Sequence, residues 1–330
     1  MDLPSTVLEG IIFIVLSVIG LLGNGILIHF TMKSFVGRVR ASCAVLFCLG
    51  VVHMLRILVV NILSVIYSVG GVRIFDSAGC KIFKFTSAVT TTISIWLTLY
   101  LASFYYLKLS HVVHPLSVTP TVSWRNRHLL GLFSLCVAGL AVYIPILVYS
   151  EKVNDSFLAN ITSSQKHASL VYAACQVRYT SHKLELIYGT VLLLSFDLVP
   201  LADFVIISIR IALLLWQHHK ASYGDIWIGA DKTETEVFRA SKLSVLLMGL
   251  AACLWISHFI LYHYQSELSS CYFIPAILAV LSCSYSSLSP YILIIVNYKV
   301  REKLKDLCCW HSMRQAKTQA VTVSASPYSE

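Results

Sequence analysis

Two runs of side chains hold the chemistry open to this chain. Lys84, Ser87, Ala88 and Thr91 recur at helical intervals, so on a helix they share one face. Trp255, His258, Phe259 and Tyr262 keep the same spacing further on, an aromatic wall with two hydrogen-bonding groups. A Lys84 ammonium in a partly dehydrated cleft can pair with the carboxylate or sulfate of a small acid; its alternative is to snorkel to the headgroups. His258 can donate to a ligand or to a neighbouring carbonyl, and Trp255 and Phe259 can equally serve packing alone. These groups hold a small molecule; they do not transform one. The sequence has no His-Glu-x-x-His, no Gly-x-Ser-x-Gly and no phosphate-binding Gly-rich loop. The pairs His111/His114 and His218/His219 come without a plausible set of metal co-ligands. The expectation is a binding protein that is not an enzyme and needs no metal or cofactor.

The elements that must position those faces are set by the solvent. Hydrophobic residues make up 57% of 330 positions and charged residues 12%, against roughly 25% charged in soluble domains. A spanning helix needs about 20 mostly apolar residues, and such runs occur near 7–32, 43–68, 82–107, 129–149, 184–212, 243–264 and 272–297. They are too long and too uniformly apolar for barrel strands. The fold class expected is therefore an all-α membrane protein, a seven-transmembrane helix bundle spanning residues 1–297. No basic residue precedes the first run and no small-residue cleavage site follows it, so it is expected to stay in the mature chain.

Sixteen Lys and Arg residues fall in the loops and tail on one side of these spans and seven on the other. By the positive-inside rule the N-terminus is outside and the C-terminus cytoplasmic. The net charge of +9 is mainly this bias, and nucleic acid is not an expected partner. The sequons at Asn154 and Asn160 lie in the loop assigned outside, where glycans are attached. Cys80 and Cys175 fall on the same oxidising side and are expected to be bridged, with Cys271 the rival partner. On the inner side Val300, Leu304, Leu307 and Cys308 form an apolar stripe among basic residues. Residues 298–330 thus read as an amphipathic helix on anionic membrane lipid followed by a tail, with Cys308 and Cys309 candidates for palmitoylation.

Four more polar groups lie inside spans. Arg56 should face the bundle with His53 about one turn away, and Asp197 and Asp203 flank Pro200, which is expected to bend the fifth span. A charge at mid-membrane costs about 2.5–3.5 kcal/mol on insertion scales, so partners or water are expected for each. Static pairing is the simpler role, and a latch that rearranges on activation is the other.

Taken together these features resemble a G-protein-coupled receptor. Gly23-Asn24 matches the pair such receptors carry in the first span, and Ser289-Pro290-Tyr291 takes the place of Asn-Pro-x-x-Tyr in the seventh. Phe104-Tyr105-Tyr106 replaces Asp-Arg-Tyr, Trp255 has no Pro two residues on, and His53 stands where rhodopsin-like receptors usually have an Asp that helps hold sodium. The departures point to a chemosensory branch. Gly79-Cys80-Lys81, Asn160-Ile161-Thr162-Ser163 with Cys175, Trp216-Gln217-His218-His219 and Ser289-Pro290 resemble the vomeronasal type-1 receptors, in particular the fish olfactory receptors class A-related. Residues 94–115, with Leu107-Lys108 and His114-Pro115, resemble instead the third span and following loop of type-2 (bitter) taste receptors, the nearest rival.

The resemblance implies a plasma-membrane receptor of chemosensory cells. It would detect a small pheromone or odorant and activate a heterotrimeric G protein. The ligand would meet Lys84, Ser87, Thr91, His258, Phe259 and Tyr262. A membrane transporter is the alternative from another class; it would more often show related halves and broken helices, which this sequence does not display.

Overall fold

A computed structural model describes residues 5–33, 41–70, 76–113, 122–152, 175–222, 232–264 and 274–296; the side chains of some residues within these ranges, Tyr262 among them, lie outside the description. The described chain forms seven helical rods. The first is α1 (Ser5–Lys33). The second joins α2 (Ala41–Arg56) to α3 (Ile62–Gly70) through a π-helical turn at Ile57–Asn61. The third is α4 (Ser77–Val113). The fourth is α5 (Val122–Val142) and α6 (Ile144–Tyr149), and the fifth is α7 (His182–Val191) and α8 (Val199–Ser222) around a second π segment, Leu192–Leu198. The last two are α9 (Lys232–Tyr264) and α10 (Ile274–Val296).

Among the described residues, five stretches are long and apolar enough to cross a membrane: Gly10–Lys33, Ser42–Ile66, Ser77–Ser110, Leu130–Tyr149 and His182–Gln217. The apolar parts described in the last two rods are shorter, Val245–Leu261 and Cys283–Ile295. The molecule is a helical membrane bundle of the G-protein-coupled receptor type.

Each break has a chemical cause. Pro145 has no N–H to give the preceding turn, so the fourth rod turns at Tyr143, whose N–H reaches Leu140 O at 3.3 Å, and α6 starts with Pro near its N-terminus. In the fifth rod the irregularity lies just before Pro200. Pro200 cannot bond back into the ladder, and the wider turn ends with Val199 N–H on Leu194 O. The expected bend is thus a π segment.

The rods also outrun the apolar runs that mark them. α4 starts five residues before the apolar run because Asp76, just ahead of it, accepts Gly79 N–H at 2.7 Å on its carboxylate, an N-cap that hydropathy does not register. α9 likewise begins at Lys232, well before residue 243, on charged residues that favour helix without favouring lipid.

α4 is the central rod. It packs against α2, α8, α9 and α6, while α1 lies against α2 and α10, and α9 against α8 and α10. Its buried Phe83, Val89, Ile95, Leu97 and Leu101 anchor the core. At one end Ser150–Lys152 (β1) pairs antiparallel with Cys175–Val177 (β2), Lys152 facing Cys175. A disulfide joins Cys175 to Cys80 near the start of α4. The glycosylation sites Asn154 and Asn160, the rival Cys271, the stripe 300–308 and the palmitoylation candidates Cys308 and Cys309 lie outside the described residues.

Candidate functional site

Below the disulfide, about 16 Å along α4 at 1.5 Å per residue from Cys80 to Thr91, the rods line a small, partly open cavity. Its wall is His53 and Arg56 from α2, Thr91 and Ser94 from α4, Trp255 and His258 from α9, and Leu281, Tyr285 and Ser286 from α10. The room inside is about 20 Å³, enough for about one water.

Arg56, only 5% exposed, dominates the wall. Its Nη1 donates to the Thr91 hydroxyl at 2.6 Å, to Ser87 O at 3.1 Å and to the Thr90 hydroxyl at 3.3 Å. Thr91 donates in turn to Ser87 O at 2.8 Å, so its hydroxyl is fixed as an acceptor toward the guanidinium. Beside it, His53 Nδ1 lies 3.3 Å from the Ser289 hydroxyl, with its ring edge-on to Tyr285.

An aromatic floor follows. The Trp255 ring lies 4.5 Å from Tyr285 and 6.1 Å from Phe204. Tyr285 OH lies 2.7 Å from the Thr98 hydroxyl, which donates to Ser94 O at 2.6 Å. With the Thr98 proton so used, Tyr285 is the donor of the pair.

The structure thus gathers Thr91 and His258 at the cavity and gives Ser87 a place behind it through its carbonyl. Lys84, half-buried one turn above Ser87, is not part of the described wall, nor is Phe259, whose ring meets His258 edge-on at 5.9 Å. Tyr262 is helical, but its side chain is not among the described ones. Reasoning from sequence missed Ser94, Leu281, Tyr285 and Ser286. Their only signal is helical spacing, in α4 for Ser94 and in α10 for the other three, too common in a buried span to single them out.

Two of the intramembrane charges behave differently from each other. Asp197 accepts a 3.0 Å hydrogen bond from Thr92, whose oxygen is 2.6 Å from Tyr143 OH, so a relay runs from Tyr143 through Thr92 to the carboxylate. Asp203 is exposed on the outward face of α8, seven residues from the exposed Arg210, two residues on from the buried Leu201 and so roughly opposite it in the helical period. Near the β-hairpin Tyr149, Tyr179 and Tyr188 stack, and burial with Tyr188 and Glu185 beside it pushes the Tyr179 hydroxyl up to about 12, leaving it neutral.

Comparison with known proteins points one way. Residues 3–312 match the family model of the taste receptor protein (TAS2R). The chain is 24% identical over 311 residues to taste receptor type 2 member 14 of Macaca mulatta, covering 91% of this chain and 90% of that protein. It is 27% identical over 228 residues to taste receptor type 2 member 7 of Papio hamadryas, 67% of each chain, and 25% identical over 240 residues to its counterpart in Rattus norvegicus, 69% of this chain and 70% of that one. The resemblance to vomeronasal type-1 and fish olfactory receptors is corrected by these matches. The motifs behind it are two to four residues long, whereas the taste-receptor match runs along nearly the whole bundle.

Proposed function

Because the chain belongs to the taste receptor protein (TAS2R) family, a family of receptors and not of enzymes, we propose that it is a type-2 taste receptor. In this reading it takes small bitter compounds in the cavity around Arg56 and passes binding to a heterotrimeric G protein. The observation that carries this is the cavity itself: an amphipathic space between α2, α4, α9 and α10, with hydrogen-bonding groups on one side and the Trp255 and Tyr285 rings on the other. Small-molecule sites have this mixture.

At about 20 Å³ the cavity holds no organic molecule, so a ligand must bind a wider arrangement of the four helices. A ligand that prefers the wider bundle shifts the population toward it, by no more than that preference. Such a change reaches the opposite end of α9, where the loops and the tail would present the G-protein surface. Thr91 and His258 would touch the ligand. Lys84, nearer the disulfide, would meet it only if it is large or acidic.

The test is a G-protein-activation screen of surface-expressed receptor against bitter alkaloids, organic acids, amines and steroid-like odorants. Responses to bitter compounds that His258→Ala and Thr91→Val weaken about tenfold or more are expected. Responses confined to odorants, or identical potency of both variants for every active compound, would overturn the reading. Lys84→Ala decides whether that residue belongs to the site.

A further inference from the structure

Arg56 is a buried cation whose three hydrogen bonds to described residues all end on neutral oxygens, two hydroxyls and one carbonyl, and all leave from one nitrogen. Among the described residues no carboxylate lies within ion-pair distance of it, and none lines its cavity. Asp197, an acid within the fifth rod, is engaged with Thr92 on another face of α4. A guanidinium cannot shed its proton to escape burial, and leaving a buried charge uncompensated is strongly unfavourable. Of the other groups facing the cavity, His53 and His258 can turn a ring N–H toward an occupant, while Thr91, Ser94 and Ser286 give their protons to the carbonyls of Ser87, Thr90 and Cys283.

We propose that this cavity is an anion site, in which the Arg56 guanidinium holds one small monovalent anion: chloride in the resting protein, or the carboxylate of an acidic ligand. Its room, about 20 Å³, suits a single halide or the two oxygens of a carboxyl group. Gluconate is far too large. The guanidinium supplies the charge and its remaining donors, and the ring N–H groups of His53 and His258 complete the shell. The inference goes beyond the receptor reading, since it needs neither a bitter compound nor a G protein.

The experiment uses purified full-length receptor in detergent, with unfolding followed by a thiol-reactive dye on its buried cysteines. Sodium chloride is titrated against sodium gluconate at constant ionic strength, and sodium benzoate is then titrated in gluconate. A saturable rise of about 3 °C or more in the unfolding midpoint is expected, and it should vanish in Arg56→Gln. A rise with chloride identifies the inorganic anion as occupant; a rise with benzoate alone identifies the organic acid. Should Arg56→Gln fail to fold, Leu281→Trp, which fills the cavity and keeps the guanidinium, must abolish the rise instead. Identical midpoints in all salts, or a rise that survives in the variants, would overturn the proposal.

Discussion

The hydroxyl chain under the cavity makes an asymmetric prediction at the scale of single residues. Tyr285 donates to Thr98, and Thr98 donates to Ser94 O. Tyr285→Phe therefore removes a donor and leaves Thr98 still bonded. Thr98→Val strands the buried phenol without its acceptor. The first change is expected to cost about 1 kcal/mol and the second about 1–3 kcal/mol, a ranking that thermal unfolding of the two purified variants checks directly. Equal losses would mean the proton order is the reverse. Thr91→Val removes the shortest contact of a charged donor, 2.6 Å from Arg56, and should lower stability by about 1.5–3 kcal/mol. Arg56 could be picked out of the sequence as a costly charge within a span. Its partners could not, because they are a carbonyl and two hydroxyls, which every amphipathic helix offers in quantity.

Among elements, α1 and α10 approach closely. A Cβ added at Gly23 would lie 2.7 Å from the Tyr291 ring and 2.8 Å from Pro290, whereas one added at Gly25 would meet nothing within 4 Å. Gly23→Ala should thus destabilise the bundle by about 1–3 kcal/mol and reduce surface expression, while Gly25→Ala should be neutral or slightly stabilising. Matched expression of the two would show that the α1–α10 contact is looser than described. The rods themselves were legible, since lipid forces every backbone group into internal pairing and about 20 apolar residues are hard to mistake. Their ends were not: the cap at Asp76 and the polar first turns of α9 follow hydrogen bonding and helix propensity. The faces were only partly legible. Counting by 3.6 works along α4 and brings Ser87 and Thr91 together. The π turn at Ile57–Asn61 inserts an extra residue into one turn of the second rod, so every face below it is rotated from its naive position. Asn61, which accepts from the Cys283 thiol at 3.1 Å, is oriented by that turn.

For the whole molecule, the disulfide closes a loop with a sequence separation of 95 residues, holding the hairpin over the open end of α4. Non-reducing peptide mapping should recover Cys80 with Cys175; recovery of Cys271 in that bond would reassign it. Cys175→Ser is expected to lower the unfolding midpoint by several degrees, because a loop of about 100 residues regains its freedom in the unfolded chain. The same covalent closure has a topological consequence. Cys80 lies before the stretch between Lys152 and Cys175, and Cys175 lies after it, so a single peptide cleavage anywhere in that stretch divides the polypeptide into two chains without separating them. A receptor nicked there by protease would migrate on a gel as one species until reductant is added and as two afterwards, and the β1–β2 pairing would hold the severed ends in register meanwhile.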